Sequence, residues 1–219
     1  MKPKATFSTH AQAALKHLRT QDRRLAELIA KVGPYGVIPP VRVDPFSALF
    51  RAICHQQLTG KAAMTIMNRV KDRVGAGGWP TPLQVKRARL DTLRKAGLSR
   101  AKAMALKDLA AKTIDGTVPT ARVLRKLSDD EVVERLTQVR GVGRWTVEML
   151  LMFQLGRYDV LPVDDYGVRK GFSRWYGHAD LVHKDVLTEW GEKWRPYRSV
   201  ASWYMWRVLE LKSDTASEG

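Results

Sequence analysis

The sequence predicts an all-α protein, and three observations support this prediction. Apolar residues recur at spacings of three and four in nearly every segment of the 219 residues, which is the pattern of amphipathic helices. The sustained alternation of apolar and polar residues that marks a half-buried strand is missing. Turn and capping signals, such as GAGGWPTP at 75–82 and SDDE at 128–131, separate the helical segments.

The helices are predicted in order along the chain, after an N-terminal helix. One runs from about Phe46 to Leu58. Its buried face is expected to consist of every third or fourth residue, namely Phe46, Leu49, Phe50, Ile53 and Gln57. The following helices are recognised by their apolar positions: one carries Ala63, Met67, Val70 and Val74, a short one carries Leu90 and Leu93 and ends at Gly97, and the next spans Leu98 to Lys112.

A helix, tight hairpin and second helix are predicted next. Ser128 and Glu131 have the S-x-x-E form of a capping box, in which each side chain satisfies an amide of the other residue, so a helix should begin near Ser128. The helix should stop at the Gly-Val-Gly of 141–143, and an apolar helix should follow to about Leu155. Further helices are predicted over 166–175, 184–194 and 198–211, and the tail 213–219 is expected to fray.

Composition limits the classes of function. Lys and Arg number 38 against 22 Asp and Glu, a net charge of +16 spread along the chain, which suits a polyanionic partner, although a basic protein without a nucleic-acid role stays open. Cys54 is the single cysteine, so we expect no disulfide, Cys-rich metal site or iron–sulfur cluster. Met1–His10 has no apolar stretch of signal-peptide length and no window reaches membrane-span length, so we expect a soluble, intracellular, cytoplasmic protein.

Two local patterns are candidates for chemistry. Gly141 and Gly143 permit a turn that exposes consecutive amides at a helix start, an arrangement that can bind a phosphate, although an ordinary αα-hairpin with a glycine turn is the alternative. Asp164 and Asp165 follow the Pro-containing loop LPV and precede another helix. Taken alone, either aspartate is explained by helix N-capping.

The order of these patterns is more specific than either one. An L-x-x-V-x-G-V-G-R-W-T hairpin, a Pro-containing loop and an aspartate 20 residues after Trp145 resemble the helix-hairpin-helix, Gly/Pro-Asp superfamily of DNA glycosylases. The resemblance runs from about Phe46 through Leu211 and is closest to the alkylation-repair (3-methyladenine) branch. Arg140 departs from the family pattern, because many relatives have proline at this position. The arginine is expected to loosen the turn.

The resemblance implies a two-lobed helical fold without the N-terminal β domain of some relatives. One lobe would span 46–160 and carry the helix-hairpin-helix at about 128–155. The other would combine 1–45 with 161–219 and carry the catalytic aspartate, with the active cleft between the lobes. It also implies a monomer.

The resemblance further implies roles for residues of the active site. Asp165 would be the catalytic carboxylate, with Asp164 beside the substrate pocket as a capping or supporting group. Trp145 occupies the place of the lysine nucleophile of bifunctional relatives, so the enzyme should form no Schiff base and cut no strand. Trp206 matches a base-stacking tryptophan, although core packing is the equal alternative for a tryptophan on an amphipathic helix.

DNA contacts are implied as well. Gln57 and Leu58 match a wedge loop that enters the base stack, the alternative being a polar helix end beside a core leucine. The hairpin residues expected to contact DNA are Gly141, Val142, Gly143, Arg144 and Thr146. The family hairpin commonly holds a monovalent cation, Na⁺ or K⁺, through carbonyls that map to Thr137, Val139 and Val142, and no cofactor is required.

The resemblance therefore implies a monofunctional glycosylase that hydrolyses the N-glycosidic bond of alkylated purines, 3-methyladenine and 7-methylguanine, in damaged duplex DNA during base excision repair. Two alternatives stay open. One is a glycosylase for deaminated or oxidised bases, since pocket shape sets the substrate. The other is a non-catalytic helix-hairpin-helix DNA-binding protein in which Asp165 only caps a helix.

Overall fold

The computed structural model of the protein describes residues 3–211, with side chains from residue 9 onward. All regular secondary structure within this part of the chain is helical, which confirms the predicted fold class. The tail 213–219, which was expected to fray, lies outside the described residues. None of the helices described is long and apolar enough to cross a membrane.

The chain divides into two compact units. We call the first the terminal unit, because it combines Met1–Val41 with Gly156–Gly219. The second, Arg42–Leu155, is the central unit.

The α-helices are numbered along the chain. The terminal unit begins with α1 (Pro3–Gln21) and α2 (Arg23–Val32). The central unit contains α3 (Pro45–His55), α4 (Gly60–Val74), α5 (Pro82–Arg87), α6 (Leu90–Lys95), α7 (Arg100–Ile114), α8 (Ala121–Leu124), α9 (Asp129–Leu136) and α10 (Arg144–Leu150), which continues as a π-helical turn (Leu151–Leu155). The terminal unit resumes with α11 (Tyr166–Tyr176), α12 (Lys184–Gly191), a 3₁₀ turn (Glu192–Trp194) and α13 (Arg198–Val208).

The terminal unit is built around aromatic and aliphatic side chains from both ends of the chain. Its core joins residues of α1 and α2 to residues of α11, the 3₁₀ turn and α13, among them Leu18, Leu28, Phe172, Trp194 and Tyr204. Burial of this apolar surface fixes α11, and α11 begins directly after Asp165.

In the central unit the predicted capping box is confirmed. The Ser128 hydroxyl accepts the Glu131 amide at 3.2 Å, and the Glu131 carboxylate accepts the Ser128 amide at 2.7 Å. Both bonds are local, so the start of α9 could be read from four residues.

Several predicted helix ends were wrong, among them that of α13, which ends at Val208 rather than at residue 211. Helix α3 ends at His55 rather than Leu58, because Gln57 has a left-handed backbone, φ +57°, and Thr59 already caps α4. Gln57 is therefore exposed and lies outside the buried face predicted for it. Helix α9 ends at Leu136, so the turn before α10 is seven residues long, 137–143.

Three helices were missed. The N-terminal region holds two helices rather than one, because Asp22 caps α2 immediately after α1. Helix α5 has a readable capping box, Thr81 with Gln84, whereas the four residues of α8 offer no period to detect.

Candidate functional site

The turn between α9 and α10 has the geometry of a tight hairpin. Gly141 has φ +76°, which glycine adopts without strain, and the Val142 amide donates to the Val139 carbonyl at 3.0 Å. Gly143, the N-cap of α10, has an ordinary extended backbone, φ −97°, and a Cβ placed on it would meet no atom within 4 Å. The space beside Gly143, at the start of α10, is therefore open.

The amides at that start determine what the hairpin can bind. The first amides of a helix have no intrahelical acceptor, and here they belong to Arg144 and the residues after it. The Val142 amide donates within the hairpin and the Val142 side chain is buried, so the expected DNA contact of Val142 stays a prediction. Thr146 is also buried, whereas Arg144 is exposed with its guanidinium 3.8 Å from the Glu148 carboxylate.

An aspartate on α7 supports the hairpin. Asp108 Oδ2 accepts the Arg140 amide at 2.7 Å, and the Lys112 ammonium donates to the same oxygen at 2.8 Å and to the Gln138 carbonyl. A proline at 140 would have no amide hydrogen to donate. The structure therefore gives Arg140 a bond that holds the turn, contrary to the looser turn expected.

The second turn of interest, residues 56–58, joins α3 to α4, and we call it the wedge turn. Gln57 is exposed and Leu58 is 39% exposed, whereas α3, which precedes them, has one face buried. The Gln56 side-chain amide donates to the Gly141 carbonyl of the hairpin at 2.8 Å. The Lys102 ammonium donates to the Cys54 carbonyl at 2.9 Å and to the Gln56 carbonyl at 2.5 Å.

A pocket of about 580 Å³ lies in the central unit beside these turns. Trp145, 47% exposed, lines it. Its other lining residues include Gln56, Gln57, Lys102, Thr146 and Met149. Partial burial lowers the pKa of Lys102 below its ordinary value. The structure thus brings Trp145 and the first residue of the predicted wedge pair, Gln57, to one cavity.

The predicted catalytic carboxylate lies in the terminal unit. Asp165 is the N-cap of α11, and only 8% of its surface is exposed. Its Oδ1 accepts the Val168 amide at 2.7 Å and the Trp206 indole N–H at 2.9 Å. Gly167 makes the second bond possible, because a Cβ at 167 would lie 2.8 Å from the Trp206 ring.

The neighbouring aspartate has a different role from the capping role expected. Asp164 does not cap α11, since Asp165 does. The Asp164 side chain is exposed and lies 3.8 Å from the Lys184 ammonium. Its place beside a substrate pocket stays a prediction.

Trp206 is partly buried and packs against the core of the terminal unit. Trp203 is also partly buried and meets Tyr35 edge-on at 5.2 Å between ring centroids. The two tryptophans differ in their polar contact, because the structure gives only the Trp206 indole a bond to Asp165. The sequence did not reveal this bond, nor the roles of Lys102 and Gln56.

Comparisons with known proteins agree with the geometry. The model of the HhH-GPD superfamily, base excision DNA repair proteins, matches residues 50–196. DNA-3-methyladenine glycosylase 1 of Schizosaccharomyces pombe is 37% identical over 210 residues, which are 96% of this chain and 91% of that protein. A solved structure of an S. pombe 3-methyladenine DNA glycosylase in complex with abasic DNA is 38% identical, with a TM-score of 0.81 over 91% of this chain and 97% of that one. The structure of a DNA-3-methyladenine glycosidase from Bacillus halodurans is 36% identical, with a TM-score of 0.79 over 89% of this chain and 88% of that one.

Proposed function

The chain belongs to the HhH-GPD superfamily of base excision DNA repair proteins, and on this premise we propose that it is a monofunctional DNA glycosylase that releases alkylated purines from duplex DNA. The relatives in S. pombe and B. halodurans are named for 3-methyladenine, which supports the substrate class. The proposal covers 3-methyladenine and 7-methylguanine.

The observation that carries the proposal is the fixed carboxylate of Asp165. Cleavage of an N-glycosidic bond builds positive charge on the sugar as the base leaves, and a preorganised anion stabilises that transition state more than the ground state. The Val168 amide and the Trp206 indole hold the carboxylate in one orientation. Its place at the N-terminus of α11 favours the anion.

The pocket lined by Trp145 is proposed to receive the extruded base. Its volume of about 580 Å³ falls in the range of small-molecule sites. The half-exposed indole offers a π face on which a purine can stack, and a cationic alkylated purine gains cation–π attraction as well. The Lys102 ammonium lines the same pocket, and its bonds to two carbonyls compensate part of its charge.

Strand cleavage is not part of the proposed reaction. Trp145 offers no amine at the position where bifunctional relatives have a lysine, so water is the nucleophile and the product is an intact abasic strand. Borohydride added during turnover should trap no protein–DNA adduct. A trapped adduct would contradict the monofunctional assignment.

Duplex binding is proposed to use the hairpin amides and the positive charge, with the protein acting as a monomer. Neutralisation of phosphates makes log K fall linearly with log salt, with a slope of about −0.9 per phosphate contacted. Gly143→Val should keep the fold, since the site is open, yet obstruct the phosphate and weaken lesion and undamaged duplexes alike. A slope near zero would contradict this mode of binding.

A monovalent cation is a further part of the proposal. The carbonyls of Thr137, Val139 and Val142 belong to the hairpin, and neutral oxygen donors suit Na⁺ or K⁺. The Val139 carbonyl already accepts one amide, which leaves a second lone pair. Duplex affinity should therefore be higher in KCl or NaCl than in a tetraalkylammonium chloride of equal ionic strength.

The experiment that tests the function is a panel of duplexes with single defined lesions, assayed for base release at saturating enzyme. We expect release of 3-methyladenine and 7-methylguanine, and weaker release of neutral hypoxanthine. Release confined to deaminated or oxidised bases would reassign the substrate. Binding without release from any duplex would make the protein a non-catalytic member of the superfamily.

A further inference from the structure

Helix α7 carries three lysines at intervals of five residues, and each reaches a carbonyl at or just beyond the end of another helix. Lys102 donates to the carbonyls of Cys54 and Gln56 at the end of α3. Lys107 donates to those of Lys86 and Ala88 at the end of α5, at 2.7 and 2.5 Å. Lys112 donates to the Gln138 carbonyl after α9. Cations in these places satisfy carbonyls that have no intrahelical partner and complement the helix dipole.

Two of these three helix ends lead into turns that the proposed function assigns to DNA. Lys102 supports the wedge turn, whereas Lys112, with Asp108, supports the hairpin. The end of α5 leads to neither. One rigid helix thus holds both DNA-facing turns, and its middle lysine offers an internal comparison.

The wedge turn and the hairpin are also joined directly. The Gln56 side-chain amide donates to the Gly141 carbonyl at 2.8 Å, across 85 positions of sequence. The next residue, Gln57, has φ +57°, a backbone conformation that residues with side chains rarely adopt. A turn with such a residue persists where the surrounding structure holds it in place. Here the hydrogen bonds that hold the turn are made by Gln56, the residue just before the left-handed Gln57.

We propose that Lys102 and Gln56 are positioning residues that hold the wedge turn in fixed register with the hairpin. The inference rests on the proposed function of the two turns. When the hairpin grips a phosphate, Gln57 and Leu58 then lie at a set distance from it, and their insertion into the base stack needs no further ordering of the turn. Neither residue needs to touch the reacting atoms.

The test compares three substitutions that remove a donor and keep a side chain of similar length: Lys102→Met, Gln56→Met and, as the matched control, Lys107→Met. Single-turnover base release at saturating DNA should fall about tenfold for Lys102→Met, the scale of one lost charge-assisted hydrogen bond, and about threefold to tenfold for Gln56→Met, which loses a neutral hydrogen bond. The control should lose thermal stability but keep its rate within about twofold, because the carbonyls that it frees stand at the end of α5, which leads into neither turn. Affinity for undamaged duplex should stay within about twofold for all three, since phosphate contacts are kept.

A second measurement reports insertion without chemistry. 2-Aminopurine placed beside an abasic analogue brightens when its stack is opened, so wild-type binding should raise its fluorescence and the first two variants should lose most of that rise. The double variant should be no worse than Lys102→Met alone, as expected for groups that act through one turn.

The outcomes separate this inference from the proposed function. Equal rate losses for Lys102→Met and Lys107→Met, or a wild-type complex in which 2-aminopurine does not brighten, would overturn the positioning role. A wild-type protein that brightens 2-aminopurine but releases no base would refute the enzymatic function and leave the positioning role supported by the fluorescence of the variants.

Discussion

Asp22 and Asp165 occupy the same local position in the terminal unit, since each is the N-cap of a helix and each carboxylate accepts the amide three residues ahead. Each also accepts a tryptophan indole N–H, and each is nearly buried, with 6% and 8% of its surface exposed. The difference lies in what else surrounds them.

Asp22 is enclosed by donors. Its Oδ2 accepts the Tyr176 hydroxyl at 2.6 Å and the indoles of Trp194 and Trp190 at 3.0 and 3.1 Å, while its Oδ1 accepts the Leu25 amide. Burial raises the pKa of Asp22, but these hydrogen bonds outweigh it and hold the pKa below its ordinary value. Burial and the hydrogen bond to Asp22 raise the pKa of Tyr176 above its ordinary value.

The indole that donates to Asp165 is less buried than most of the side chains that donate to Asp22. Trp206 is partly buried, whereas Tyr176 and Trp194 are buried. The Trp206 indole and the Val168 amide both donate to Oδ1 of Asp165. A carboxylate enclosed by buried side-chain donors is suited to holding a fold together, whereas one whose indole donor is only partly buried is suited to chemistry. Six substitutions sharpen or break this distinction.

The largest effect is expected from Asp165→Asn. Removal of the charge should lower single-turnover base release by about 10³-fold, ~4 kcal/mol of transition-state stabilisation, while lesion-duplex affinity is largely kept. Rapid-quench kinetics and a binding titration on the same protein measure both. Activity within about tenfold of wild type would remove Asp165 from its assigned role.

Asp22→Asn should do the reverse. It should destabilise the fold by about 2–3 kcal/mol, because one buried network loses its anionic acceptor, and leave the rate per folded molecule unchanged. The folded pKa of Asp22 lies below the unfolded value of 3.8, so its stabilisation is present above that pH and is lost as pH falls through the folded pKa. Urea unfolding between pH 7 and pH 2 should show this acid-side loss in wild type and a smaller one in the variant. If the free energy of unfolding fell equally with pH in wild type and variant, Asp22 would contribute no pH-linked stability.

Trp206→Phe and Trp190→Phe form a matched pair, since each removes an indole donor from one of the two aspartates. We expect about a tenfold loss of rate for Trp206→Phe, the scale of one hydrogen bond to a charged group, and a loss of stability only for Trp190→Phe. Equal effects on rate would deny the indole a role in orienting Asp165.

Trp206→Leu extends the test to substrate choice. If the ring also stacks on the base, leucine but not phenylalanine should erode the preference for cationic lesions, worth about 0.5–2 kcal/mol. The measurement is kcat/KM for 7-methylguanine and 3-methyladenine duplexes against a hypoxanthine duplex. An unchanged ratio with a lowered Tm would assign the ring to packing and to Asp165 alone.

The smallest effect is expected from Asp164→Asn. The side chain is exposed and its ion pair with Lys184 is long, so the rate of base release and the equilibrium constant of unfolding should each change by less than about twofold. A large loss of activity would show that the two adjacent carboxylates share the chemistry.

The local sequence was enough for much of the fold and placed Asp165 directly before a helix, whereas its catalytic role stays a prediction. Helical periodicity, the capping box at Ser128 and the Gly-Val-Gly turn act within four or five residues, so their signals lie side by side in the chain. The order of hairpin, loop and aspartate identified the family, which the comparisons confirm. The same local signals could not decide which of two adjacent aspartates caps α11.

The contacts that distinguish the candidate site from its structural counterpart are long-range, and only the tertiary structure decided them. Trp206 meets Asp165 across 41 positions, Gln56 meets Gly141 across 85, and Trp194 meets Asp22 across 172. A periodic pattern shows which face of a helix is buried, but not which hydrogen-bond donor that face meets. Burial of apolar surface brings distant segments together, and because many sequences can bury such a surface, it does not specify the polar partners. For this reason Asp22, Lys102 and Gln56 look like ordinary polar residues in the sequence and become anchors only in the folded chain.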